Sequence, residues 1–170
     1  MTRTLFVGVL VVAAVCGGAV VVLEPDPYLR VRYPLRFEHI VRGHAANYDL
    51  DPALVAAVIY QESKFRPDAR SPSGAIGLMQ LLPATAKGIA LRTGGSRFRV
   101  SDLYDPEVNV RYGCWYLRNL LGKYGSLELA LAAYNGGQGN VDRGVRYPET
   151  RDYVEKVLEV RDIYAQAHGL

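Results

Sequence analysis

A chain of 170 residues that is 49% hydrophobic and 22% charged fits one domain with a buried core, and its composition argues against a disordered segment. Its net charge of +3 comes from Lys and Arg that are scattered, not clustered. That pattern argues against a nucleic-acid partner and suits an anionic polymer or a membrane surface.

The chain opens with Met1-Thr2-Arg3-Thr4 and then runs uncharged from Leu5 to Leu23, a stretch of 19 residues. Roughly 20 apolar residues span a bilayer as a helix, whereas a cleaved signal has an apolar core of about 7–15. Arg3 before the stretch, with Glu24 and Asp26 after it, directs the rest of the chain outward. Residues 1–23 are therefore expected to form a hydrophobic signal-anchor helix that holds the protein in the cytoplasmic membrane through residues 5–23. Two alternatives stay open: cleavage among the small residues Ala14, Gly17, Gly18 and Ala19, or lipid attachment at Cys16. All three put the remainder on the outer face of the membrane.

Residues 24–36, with Pro25, Pro27 and Pro34, predict a short extended linker. Residues 37–168 predict helices almost throughout. Phe37, Ile40, Val41 and His44 mark the first amphipathic helix, and Asp51-Pro52 caps the second. Pro67 to Gly77 is rich in turn residues, and a short helix follows from Pro83. Gly94-Gly95-Ser96 breaks the chain, and Asp105-Pro106 opens a helix to about Tyr124. Ser126 with Glu128 starts another that ends at Asn135-Gly136-Gly137. The last begins near Thr150, with Tyr153, Val157, Val160 and Tyr164 on one stripe. No alternating strand of convincing length appears. The expected fold is a single all-α domain.

The cysteines give neither a disulfide framework nor a metal spacing, and Cys114 reads as a small core residue. No metal or cofactor is expected.

Glu62 is the residue that looks out of place. It closes an apolar stripe of Leu54, Val55, Val58 and Ile59, which puts it on the buried face. A carboxylate there loses hydration of its charged form, and its helix's C-terminal dipole acts in the same direction, so its pKa rises. Such a group suits general-acid cleavage of a glycosidic bond. From helix position alone, a residue at the helix end that points to water is an equal reading. Gly74 and Gly77 allow close backbone approach to a ligand, while Ser71 and Gln80 offer neutral hydrogen-bonding groups for hydroxyls and amides.

Several blocks taken together resemble a known family: Glu62-Ser63-x-Phe65, Ala69-x-Ser71, Gly74-Ala75-x-Gly77-Leu78-Met79-Gln80-Leu81, Pro83-x-Thr85-Ala86, Asp102-Leu103-x-Asp105-Pro106-x-x-Asn109, Gly113-x-x-Tyr116-Leu117, Ala130-x-Ala132-Ala133-Tyr134-Asn135-x-Gly137-x-Gly139-x-Val141, and Pro148-Glu149-Thr150-x-x-Tyr153-Val154. In order and spacing they resemble the catalytic domain of the soluble-lytic-transglycosylase family. The resemblance implies a lysozyme-like helical domain. It also implies cleavage of the β-1,4 bond between N-acetylmuramic acid and N-acetylglucosamine in peptidoglycan glycan strands, leaving 1,6-anhydro-muramic acid ends.

Carried over residue by residue, the catalytic acid/base is Glu62, and the groove residues are Ser71, Gln80, Tyr134, Asn135 and Tyr153. The resemblance puts the Tyr134 hydroxyl near Glu62, although a tyrosine there also reads as core. Leu82 stands where many relatives have methionine. Asp68, the other acid near Glu62 in the motif loop, reads as a surface turn residue. A lysozyme-like hydrolase and a peptidoglycan-binding accessory module of a wall-spanning assembly are the alternatives. The protein is expected to act as a monomer.

Overall fold

The computed structural model describes residues 27–145 and 147–170 throughout and, before them, the backbone of 12–15 and 18–21. From Pro27 the chain forms eight described helices: α1 (Pro27–Arg32), α2 (Glu38–Asn47), α3 (Pro52–Ser63), α4 (Pro83–Thr93), α5 (Pro106–Tyr124), α6 (Leu127–Gly136), α7 (Gln138–Asp142) and α8 (Pro148–His168). A 3-10 turn at Val100–Tyr104 leads into α5.

The expected caps are present. The Asp51 carboxylate accepts from Ala53 N–H, Asp105 accepts from Glu107 and Val108, and Ser126 Oγ accepts from Leu129. Pro52 and Pro106 sit in the first turns, where a missing N–H costs nothing. Gly94 and Gly125 end α4 and α5 in the left-handed conformation.

Helix α3 is the buried centre. Ala53 to Tyr60 are all buried, packed mainly against the Val157, Val160 and Tyr164 stripe of α8. A second cluster of Ile76, Leu81, Ile89, Leu103 and Tyr112 lies under α4. Cys114 is buried in the main core, where burial raises its thiol pKa.

In the N-terminal part, the helix expected over residues 1–23 is not shown, and the linker expected at 24–36 is corrected. The backbone described within 5–23 is not a helix: Val12–Val15 (β1) pairs antiparallel with Gly18–Val21 (β2). Four of those eight residues are valine, whose branched side chain favours extended backbone. The rest of 5–23, Cys16 included, lies outside the described residues. Among the described residues no helix is long and apolar enough to cross a membrane.

The linker expected at 24–36 contains α1, docked on the domain. Arg30 Nε donates to the Ala167 carbonyl at 2.7 Å, Arg32 Nη1 donates to the Tyr60 hydroxyl at 2.8 Å, and Tyr33 packs against Tyr60 and Tyr164. Pro27 suits a first helical turn, and the tertiary contacts hold the rest.

Candidate active site

Glu62 lies in the last turn of α3, and the way the chain leaves that helix keeps it on the wall of a cavity. Lys64 and Phe65 both take left-handed backbone angles, with φ of 52° and 58°. Non-glycine residues adopt these only when packing holds them. Here Phe65 is driven into the core beside Tyr164, so the chain turns sharply and leaves the α3 end open. Ser63, itself buried, donates its hydroxyl to the Leu78 carbonyl at 2.7 Å and ties the following loop to the helix.

Among the described residues the Glu62 carboxylate has one side-chain partner. The Tyr153 hydroxyl, from the first part of α8, donates to Oε1 at 2.6 Å. Burial raises the Glu62 pKa from 4.5 to about 7, partly offset by the Tyr153 bond, which favours the charged form. Burial, with the nearby Glu62 charge, lifts the Tyr153 hydroxyl well above its ordinary range, so it remains a donor.

The loop facing Glu62 is hung from three helices. Ser63 of α3 holds Leu78, as above. Asn109 of α5, fully buried, accepts from Met79 N–H at 2.7 Å and donates to the carbonyls of Ile76 and Leu103 at 2.9 and 2.8 Å. Tyr134 of α6 donates its hydroxyl to the Met79 carbonyl at 2.8 Å. Gly77 has φ of 82°, and a Cβ there would overlap Asn109 and the Leu103 carbonyl, so no larger residue fits.

Gln80 follows with φ of 47°. Its amide nitrogen donates to the carbonyls of Ala69 and Gly77, leaving Oε1 as an acceptor for a ligand. Ser71 Oγ accepts from Ala75 N–H, leaving its own proton to donate.

These residues enclose a cavity of about 450 Å³. Of the expected site residues, Glu62, Ser71, Gln80, Tyr134 and Asn135 line it. Tyr153 does not line it and instead supports Glu62 from behind. The Tyr134 hydroxyl bonds Met79, not Glu62, so its contact is with the loop. Asp68 is exposed and outside the cavity, and among the described residues Glu62 is the only carboxylate in the lining.

Sequence reasoning missed Ser73, Thr85 and Tyr116 in the lining, and Ser63 and Asn109 behind it. Ser63, Thr85, Asn109 and Tyr116 stand inside the motif blocks quoted above, which was the available signal. Among the described residues no cluster of three or more His, Cys, Asp or Glu could hold a metal ion.

Residues 39–157 match the Transglycosylase SLT domain. The transglycosylase of Enterobacteria phage PRD1 is 38% identical over 125 residues, covering 74% of this chain and 43% of the phage protein. The soluble lytic murein transglycosylase of Escherichia coli (strain K12) is 29% identical over 160 residues, covering 84% of this chain and 25% of that protein. The membrane-bound lytic murein transglycosylase F of Yersinia pestis (strain Pestoides F) is 38% identical over 112 residues, covering 62% of this chain and 21% of that protein.

Among solved structures, an inactive mutant of lytic transglycosylase Slt from Pseudomonas aeruginosa superposes with a TM-score of 0.75 at 35% identity. It covers 81% of this chain and 25% of that one. The 70 kDa soluble lytic transglycosylase of Escherichia coli gives 0.76 at 28% identity with the same coverage. The chain thus spans less than half the length of each of these relatives. With the family match spanning most of the chain, and the same fold in these solved relatives, the chain belongs to the Transglycosylase SLT domain family.

Proposed function

We propose that this protein is a peptidoglycan lytic transglycosylase, cleaving the β-1,4 bond between N-acetylmuramic acid and N-acetylglucosamine. The observation that carries the reading is Glu62: a largely buried carboxylic acid with a pKa of about 7, and among the described residues the only carboxyl group in a cavity otherwise lined by neutral side chains and backbone. The names of the murein transglycosylases it resembles support the substrate.

Two-carboxylate glycosidases place a second acid across the bond, and substrate-assisted enzymes do without one. In the proposed reaction Glu62 donates its proton to the leaving oxygen as the bond from C1 breaks. The carbonyl oxygen of the substrate's own N-acetyl group closes on C1 and carries the positive charge. Glu62, now a carboxylate, takes the proton of the C6 hydroxyl as that oxygen attacks C1 and expels the N-acetyl oxygen. The acid is regenerated and the product is a 1,6-anhydro sugar, with no water consumed. Gln80 Oε1, Ser71, Asn135 and the loop backbone supply hydrogen bonds for the sugar, and Tyr153 holds the carboxyl.

Mass spectrometry of digested peptidoglycan is the test. Products ending in 1,6-anhydro-muramic acid are expected, and reducing muramic acid ends alone would establish the hydrolase instead. Glu62→Gln should bind glycan yet lose turnover by about a thousandfold or more, since it removes the proton carrier. Near-normal turnover would dismiss this role.

The apolar stretch 5–23 and the charges around it support export, with attachment to the outer face of the cytoplasmic membrane. With α1 docked on the domain, only residues 24–26 separate that stretch from the folded part, so cutting would be confined to glycan next to the membrane. An N-terminus at Met1 or Thr2 in the membrane fraction is expected. A start between residues 17 and 25 would mean the leader is cleaved.

A further inference from the structure

A second cavity, of about 400 Å³, abuts the one around Glu62: Thr85 and Tyr116 line both. It lies chiefly between α4 and α5, with Arg92, Trp115, Asn119 and Lys123 in its walls and, among the described residues, no Asp or Glu. Its two cations are not equivalent. Lys123 is paired with Asp142 at 2.9 Å and also bonds the Gln138 side chain. Among the described residues Arg92 has no carboxylate partner. Its Nη1 donates to the Gly88 carbonyl one turn back at 2.9 Å, which uses one of the five N–H groups of the guanidinium.

This exposed guanidinium in the last turn of α4 therefore offers a positive charge to this end of the groove, in the same cavity lining as the half-buried Trp115 ring. A guanidinium with free donors pairs best with a carboxylate, and an indole face packs well on short aliphatic groups. The glycan backbone is neutral and leaves Arg92 unmatched. The peptide stems carried by muramic acid offer both carboxylates and small aliphatic side chains.

We propose that this cavity is a binding site for the carboxylate-bearing peptide stem of a muramic acid bound near the scissile bond. Arg92 pairs with a stem carboxylate, and Trp115 packs against its aliphatic part. This rests on the glycan-cleaving reading above. It makes Arg92 and Trp115 specificity determinants that select stem-bearing over stripped strands.

Trp115 is the only tryptophan of the chain, so its fluorescence reports on this cavity alone. The full-length chain in detergent is titrated with three soluble probes: a D-lactyl stem peptide with free carboxylates, the same peptide with its carboxyls amidated, and a chito-oligosaccharide. A saturable change in Trp115 emission is expected with the free-acid peptide and not with the amidated one. Arg92→Glu should weaken that binding about tenfold or more, Arg92→Lys should keep most of it, and Glu62→Gln should leave it unchanged.

No response, an equal response to the amidated peptide, or an equal response to the chito-oligosaccharide would overturn the proposal. So would binding that Arg92→Glu does not alter. Stem binding of the expected pattern in a protein that releases no 1,6-anhydro ends would remove the proposed reaction and leave this site standing. Anhydro ends without stem binding would do the reverse.

Discussion

Burial raises the Glu62 carboxyl to about 7, while the Tyr153 hydroxyl 2.6 Å from Oε1 draws it back toward the charged form. The balance leaves an acid near half protonation at neutral pH, which serves both halves of the proposed reaction: proton donor first, proton acceptor second. It also gives Tyr153 a measurable role. Tyr153→Phe removes the one bond that lowers the Glu62 pKa, so the alkaline limb of the kcat/KM profile should move to higher pH. Turnover at the optimum should fall roughly tenfold, about 1.4 kcal/mol, because the carboxyl loses its orienting partner. A pH-rate profile of the variant that overlays the wild type would show that the Tyr153 bond does not govern Glu62. Tyr134 acts differently, since its hydroxyl belongs to the loop through Met79.

At the scale of elements, the loop between α3 and α4 has little regular structure of its own, so its shape is borrowed from the helices around it. Asn109 makes the largest loan, with three hydrogen bonds from a fully buried position. Asn109→Ala would leave the Met79 N–H and the Leu103 carbonyl buried without those bonds, each worth about 1–3 kcal/mol when unsatisfied, while the Ile76 carbonyl keeps the Leu81 N–H at 3.0 Å. A loss of about 3 kcal/mol or more is expected, seen as a fall in Tm of roughly 10 °C. The activity that remains below the new Tm should also drop, because Gln80 is set by the same loop. A variant within about 1 kcal/mol of wild type would mean the loop holds its shape without Asn109.

The same loop shows what sequence can and cannot tell. The caps at Asp51, Asp105 and Ser126 were legible because each acts within three residues of itself. Glu62, Ser71, Gln80, Tyr134 and Asn135 could be grouped from the sequence because the motif blocks carry them, and all five line one cavity. The bonds that organise the site span much longer separations: 30 residues from Met79 to Asn109, 55 from Tyr134 to Met79 and 91 from Tyr153 to Glu62. No local pattern encodes such contacts. Helix α1 was missed for the same reason, as Arg30 and Ala167, which bond each other, stand 137 residues apart.

For the whole molecule, a largely buried acid with a raised pKa is a stability cost that depends on pH. Below about 4.5 the Glu62 carboxyl is protonated both folded and unfolded, and contributes no penalty. Between about 4.5 and 7 the folded state keeps its proton while the unfolded state releases it, so stability falls as pH rises. Above about 7 both states are ionised, and the penalty is constant at up to about 3 kcal/mol, from a rise of roughly two and a half pKa units. Glu62→Gln cannot ionise, and its Oε1 can still accept from Tyr153. The variant should therefore match the wild type near pH 4 and exceed it by up to about 3 kcal/mol at pH 8. Urea unfolding of both proteins at the two pH values measures the difference directly. A gap that stays the same at pH 4 and pH 8 would mean that Glu62 ionises in the folded protein as easily as in the unfolded chain, and the acid proposed for the first step would then be ionised at neutral pH.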